Sequence, residues 1–236
     1  MLQLLMLLSS TATVLHSTAA ATLRSGEVHV EENFAPPMLV QDLRNDIDAL
    51  SDAGGFSAAG SGGRAGEDDT LRSAQFCDPI QRDRMMGDFE AFYCLWERLD
   101  IVRQELSSDM GCELLPEMEV HYVRYQQGGF YGKHLDDYVE EAPALAPAAL
   151  EASQAPRSSR RRFSFICYLS PPDSEWAACD GGALRAYDQD GSAHVDHLPT
   201  SGKLVLFDSC AVEHEVLPTM RERTCLIGWF HEAVPP

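Results

Sequence analysis

His134-Leu135-Asp136, then His214 and, nine residues later, Arg223 are the residues whose types and spacing could do chemistry. In an extended strand, residues i and i+2 project from one face, so His134 and Asp136 would present an imidazole and a carboxylate side by side. A second imidazole from a distant strand, His214, would complete two histidines and one carboxylate on one side of a metal. That set leaves coordination positions free and is the one expected of non-heme Fe(II) oxygenases. Arg223 then supplies a permanent cation for an anionic co-substrate, gripping the distal carboxylate of 2-oxoglutarate with a two-pronged contact. Together these groups predict an oxidative hydroxylation that uses Fe(II), 2-oxoglutarate and molecular oxygen and releases succinate and carbon dioxide.

Each assignment has a competitor. An isolated His-x-Asp occurs by chance in many chains; the later histidine and the basic residue entering the next strand give it weight. Arg221, in the same Arg-Glu-Arg turn, competes with Arg223, which is preferred because it leads into the apolar run TCLIGWF. Tyr168 could donate its phenol to the same carboxylate or be a core tyrosine with a local hydrogen bond. His121, His194, His197 and His231 have no carboxylate at ligand spacing. Asp137 is expected to face away from Asp136, second to it or exposed, and Asp208 to shape the turn before His214. Two histidines and an aspartate also suit a zinc hydrolase, but that chemistry gives Arg223 and Tyr168 no shared task. A metal-binding but inactive interaction module remains a further reading.

The elements that must position these residues fall into two groups. Residues 37–50 place Leu39, Leu43, Ile47 and Leu50 at helical spacing behind a proline. Residues 83–108 repeat the pattern with Met86, Phe89, Phe92, Tyr93, Leu95, Leu99, Val102 and Leu106, and Gly111 marks the stop. From residue 117 the period changes to two. MEVHYVRY, RRFSFICYL, ALRAY, HVDHLP, KLVLF and TCLIGWF read as short strands between Gly/Pro turns. The expected class is α+β, mainly β: a jelly roll buttressed by N-terminal helices.

A chain of 236 residues with 44% hydrophobic content suits one catalytic domain, expected over residues 34–233. The net charge of −19 argues against nucleic acid or an anionic membrane as partner and suits a basic or neutral polypeptide. Seven cysteines show neither zinc-site spacing nor an even count, so most read as small buried hydrophobes, Cys167 and Cys225 above all. Residues 1–26 resemble a signal or transit segment: apolar, then rich in Ser, Thr and Ala, with no acidic residue and no stable membrane span. A secretory or organellar location follows if that segment is a targeting signal, and a cytoplasmic one otherwise. Residues 53–67 form a Gly/Ser/Ala loop, and an Ala/Pro-rich insertion at 138–160 closes on a basic cluster, Arg157 and Arg160 to Arg162. The insertion is a solvated surface segment or a lid beside the site.

YVRYQQGGFYGKHLDDY, RRFSFICYLS, DGGALRAY, GKLVLFDS and HEVLPTMRERTCLIGWF resemble the prolyl 4-hydroxylase-like branch of the 2-oxoglutarate/Fe(II) dioxygenases. Within it they look closest to the Egl-nine type hypoxia-factor prolyl hydroxylases and their bacterial relatives, over roughly residues 34–231. The resemblance implies a double-stranded β-helix with iron on His134, Asp136 and His214. It implies 2-oxoglutarate on Arg223 and Tyr168, with Tyr125 lining the pocket and Trp229 walling it near the substrate. It further implies a polypeptide substrate with an exposed proline, and ascorbate to keep the iron reduced. The long insertion and the leader-like segment depart from the Egl-nine pattern.

Overall fold

A computed structural model describes residues 14–58, 72–82, 86–137 and 158–234. Residues 1–13 of the leader-like segment, most of the glycine-rich loop and 138–157 of the insertion lie outside the described residues. The elements are α1 (Ala19–Arg24), β1 (His29–Glu31), α2 (Pro37–Asp52), β2 (Ser57–Ala58), β3 (Gln75–Cys77) and α3 (Phe89–Met110). They continue as β4 (Leu114–Tyr125), β5 (Tyr131–His134), β6 (Ser159–Tyr168), β7 (Leu184–Tyr187), β8 (His194–His197), β9 (Leu204–Asp208), β10 (His214–Val216) and β11 (Arg223–Ala233). Seven strands form one sheet in the order β1-β9-β6-β11-β4-β3-β2, and four form a second in the order β5-β10-β7-β8. This is the expected jelly roll, with antiparallel pairing throughout.

The larger sheet has two apolar faces, as strict alternation along its strands requires. Val120 and Tyr122 of β4, Phe163, Phe165 and Cys167 of β6, and Leu226 and Phe230 of β11 face the helices. Val123, Tyr125, Ile166, Tyr168 and Cys225 face the smaller sheet and line the barrel interior with Leu184, Phe207 and Val216. Gly228 makes the centre of β11 possible, because a Cβ there would come within 2.4 Å of the Phe165 ring. No helix among the described residues is long and apolar enough to cross a membrane.

α2 begins with Pro37, whose fixed φ suits a first turn. It buries Val40, Leu43, Ile47 and Leu50; Val40 takes the place expected of Leu39, which is only partly buried. The Asp88 carboxylate caps α3 by accepting from Ala91 N at 3.1 Å, and Gly111 ends it in the left-handed region at φ 67°. Phe92, Leu95, Leu99, Val102 and Leu106 form the buried stripe, whereas Tyr93, one residue off it, is 50% exposed. Buried Asp46 joins the layers by accepting from Tyr122 Oη at 2.9 Å, from Asp88 N at 2.6 Å and from Arg82.

The packed body starts earlier than residue 34. Leu15, Ala19 and Leu23 are buried in the helix-side core, and the Glu105 carboxylate of α3 accepts from Val14 N and Leu15 N, each at 2.9 Å. Ala19 and Ala20, in the Ser/Thr/Ala-rich part of the leader-like segment, are both buried here.

Candidate active site

β5 ends at His134, and Asp136 lies in the bend that follows. The extended-strand reading of His-x-Asp therefore holds for His134 only; the bend brings Asp136 back to it. Asp137 fixes that bend. It is buried rather than exposed, its N–H donates to Ser209 O at 3.1 Å, and its carboxylate accepts from Arg161 N at 2.8 Å. His214 opens β10 directly opposite His134 in the β5–β10 register. The turn before it is shaped by Asp208, whose carboxylate accepts from Cys210 N at 2.9 Å and whose carbonyl accepts from Val212 N at 3.2 Å.

The three predicted ligands converge. His134 Nε2 is 3.5 Å from Asp136 Oδ1, and His214 Nε2 is 3.8 Å from Oδ2. The ligand atoms of all three lie within 4.8 Å of one another. Each imidazole is oriented by its own strand: His134 Nδ1 donates to Gly132 O at 2.8 Å and His214 Nδ1 to Val212 O at 3.0 Å. A carbonyl only accepts, so the proton sits on Nδ1 and both Nε2 lone pairs face the centre. Tyr131 stacks on His134 at 3.8 Å, and Phe207 packs edge-on against His214 at 4.6 Å.

Protonation states suit a cation. Burial lowers the His214 pKa by more than Asp136 raises it, so the ring is neutral at pH 7. Burial would raise the Asp136 carboxyl, but His214, His134 and the Ser164 hydroxyl together hold it well below the usual range. Ser164 Oγ donates to Asp136 Oδ2 at 2.6 Å and lies 2.8 Å from Ser209 Oγ. With Oδ2 so engaged, Oδ1 is the freer ligand atom. Two imidazoles and one ionised carboxylate fit Fe(II) and leave room for co-substrate and oxygen.

Arg223 is 1% exposed. Its Nε donates to Gly182 O at 2.9 Å, and its guanidinium carbon lies 4.8 Å from the Tyr125 ring centre and 5.1 Å from that of Tyr168. Nη2 and the Tyr168 hydroxyl are buried without a hydrogen-bond partner, and among the described residues no carboxylate pairs with Arg223. A buried guanidinium lacking a counter-ion, beside an unpartnered phenol, has the chemistry of a carboxylate cradle. Burial pushes the Tyr168 phenol up to about 12 against the lowering effect of Arg223, which keeps it a neutral donor. Arg221, its competitor, instead lies over the Trp176 ring and 3.7 Å from Asp180. Gly182, at φ 67°, admits the arginine, since a Cβ there would stand 3.2 Å from Arg223 Cδ.

Trp229 is paired in register with Ser164 and Glu119, which places it on the barrel face that carries Asp136. Two more residues meet it that the sequence did not disclose. Arg161 stacks over its ring at 3.6 Å and donates to Asp136 O at 3.3 Å. Glu119 binds Arg161 and, contrary to expectation, gives His121 and His231 a carboxylate neighbour, each at 3.5 Å. Arg157 of the basic cluster lies outside the described residues; Arg160 pairs with Glu232 and Arg162 with Asp208. His194 and His197 lie on β8, at the edge of the smaller sheet. Ser164 was legible in principle, because RRFSFICY places it two and four residues before Ile166 and Tyr168 on one strand face. Cys167 and Cys225 are buried, and all seven cysteines are free thiols.

The model of the 2OG-Fe(II) oxygenase superfamily matches residues 120–231. A prolyl 3,4-dihydroxylase of Ostreococcus tauri is 37% identical over 82 residues, covering 30% of this chain and 16% of its own length. A PKHD-type hydroxylase of Maricaulis maris is 32% identical over 112 residues, covering 47% of this chain and 41% of its own. The chain thus spans less than half the length of either curated relative. Among solved structures, a Pseudomonas putida prolyl-4-hydroxylase superposes with a TM-score of 0.69 at 27% identity, over 92% of this chain and 99% of the other. A Trichoplax adhaerens prolyl hydroxylase, solved with a hypoxia inducible factor peptide, shares the fold at a TM-score of 0.72 and 19% identity, over 91% and 88% of the two chains. The matched segment, just under half of the chain, holds all three converging residues and Arg223; it is similar to the 2OG-Fe(II) oxygenase superfamily, and prolyl hydroxylases are among the solved structures that share the fold.

Proposed function

We propose that the protein is an Fe(II)- and 2-oxoglutarate-dependent dioxygenase that hydroxylates a peptidyl residue, proline foremost, at its 4-position. One observation carries the reading: a buried arginine with no counter-ion among the described residues, flanked by two neutral tyrosines, in the same barrel as a two-histidine, one-carboxylate set. Bound iron and 2-oxoglutarate supply the oxidant, with succinate and carbon dioxide as by-products.

The chain's own residues do the rest. Arg223 and the Tyr168 hydroxyl bind the distal carboxylate, and Tyr125 closes that end of the pocket. Ser164 keeps one oxygen of Asp136 occupied, so the ligand does not close a position needed by the reactants. Trp229 walls the side where a substrate enters and excludes water from it. Resemblance to prolyl hydroxylases supports proline with its flanking backbone as the group presented, and ascorbate as the reductant that sustains turnover. The strongly acidic chain suits a neutral or basic polypeptide.

Two measurements test the reading. The protein, supplied with Fe(II) and ascorbate, should release labelled carbon dioxide from carboxyl-labelled 2-oxoglutarate, and His134→Ala and Asp136→Ala should abolish the release. Mass spectrometry of proline-containing peptides should show one added oxygen on proline that depends on 2-oxoglutarate. Carbon dioxide release with no peptide product would redirect the assignment to lysine or a small molecule. No release at all would leave an inactive metal-binding module.

A further inference from the structure

Beside the metal ligands lies a charged cluster that binding of iron and 2-oxoglutarate does not require. Arg161, on β6, touches three things at once. Its Nη1 donates to the main-chain oxygen of Asp136 at 3.3 Å. Its guanidinium lies over Trp229 at 3.6 Å, close enough for a cation–π contact. Its Nε and Nη2 donate to the two oxygens of Glu119 at 3.0 and 2.6 Å, a fork-on-fork geometry.

Glu119 reaches this place from β4, two strands away, because β11 lies between β4 and β6 and aligns Glu119, Trp229 and Ser164 in one row. His121 Nε2 and His231 Nε2 stand 3.5 Å from its two oxygens. Burial alone would raise the Glu119 carboxyl, but contacts from His121, His231 and Arg161 hold it well below the usual range, so it is an anion at any working pH. The pair is only partly covered, with side chains 30% and 35% exposed, and a groove of about 520 Å³ lined by Met118, Glu119, Ser159 and His231 opens against it. The three contacts use three of the five guanidinium N–H donors and leave two for a ligand.

An exposed arginine would sample many rotamers, and holding it costs side-chain entropy. Here a two-pronged carboxylate and an indole face fix it in advance. We propose that Glu119 is a positioning residue for the reaction: it holds Arg161 flat on Trp229 and against the Asp136 carbonyl, and so sets how a polypeptide engages the site beside the metal ligands. The inference rests on the hydroxylase reading above. It predicts that losing the Glu119 charge weakens polypeptide engagement far more than 2-oxoglutarate engagement, because Arg223 and Tyr168 sit in two other rows of the same sheet.

The test has two arms, run on Glu119→Gln, Arg161→Gln and the double variant. In the first, the three tryptophans are replaced by fluorotryptophan and followed by fluorine NMR, with the Trp229 resonance assigned through Trp229→Phe. Each single variant should shift the Trp229 resonance, leaving those of Trp96 and Trp176 in place, and the double variant should add little to Arg161→Gln alone. In the second, steady-state kinetics on a hydroxylated proline peptide should show its KM raised roughly tenfold in Glu119→Gln, with the KM for 2-oxoglutarate changed less than about twofold. A Trp229 resonance that responds to Arg161→Gln but not to Glu119→Gln would overturn the inference, as would a parallel rise in both KM values. If no peptide is hydroxylated by the unaltered protein, the hydroxylase reading fails, and the fluorine arm still decides whether Glu119 positions Arg161.

Discussion

Single side chains decide which atoms of this site are free. Ser164 directs its hydroxyl to one oxygen of Asp136, and residues that orient a metal ligand in this way typically govern 10- to 100-fold in affinity or activity. Ser164→Ala should therefore weaken Fe(II) binding about 10- to 100-fold, read by titrating the metal-free protein, while the fold remains intact. Among the described residues no carboxylate pairs with Arg223, which suits the anion-binding role proposed for it. Its replacement in Arg223→Gln removes a charge-assisted pair and should raise the KM for 2-oxoglutarate roughly 10- to 100-fold, measured by carbon dioxide release over a range of co-substrate concentration. Both histidines, the aspartate and Arg223 were legible from residue type and spacing alone. Glu119 was not, because nothing local pairs it with Arg161, and only the sheet order brings β4 and β6 to the same tryptophan.

At the scale of elements, buried Asp46 links α2, the segment before α3, and β4 through Arg82, Asp88 N and Tyr122. Removing one member of a buried charged network leaves the others uncompensated, so Asp46→Ala should destabilise the protein by about 3–5 kcal/mol, visible as a lower denaturation midpoint in urea. Leu43→Ala in α2, a fully buried methyl-for-isobutyl exchange, should cost about 2–5 kcal/mol by the same measurement. The helices and strands were readable because their periods of 3.6 and 2 differ sharply. Their exact faces were less so: Tyr93 sits one residue off the buried stripe of α3, and Val40 displaces Leu39 in α2. α1 was unreadable as a packed helix, since a short run of Ala, Thr and Leu has the composition of a leader and only the contacts with Glu105 and the core reveal its place.

For the molecule as a whole, the site links stability to pH. His214 and Asp136 both have pKa values depressed by the fold, so at acid pH the unfolded chain binds protons that the native state does not. Their contribution is fully present above the ordinary imidazole value of 6.5 and is lost as pH falls, first through the His214 range and then through that of Asp136. The metal-free protein should thus show a melting temperature that is level near neutrality and falls below about pH 6.5, with a shallower fall in His214→Asn; calorimetry at a series of pH values checks this. One further consequence concerns the chain between Asp137 and Ser159. Its two ends are clamped together by the bond from Arg161 N to the Asp137 carboxylate, immediately beside a metal ligand. With the anchor points fixed, doubling the intervening length costs only about 0.6 kcal/mol of closure entropy. A foreign recognition sequence grafted between these anchors is therefore expected to leave the bend at Asp136, and its convergence with His134 and His214, in place.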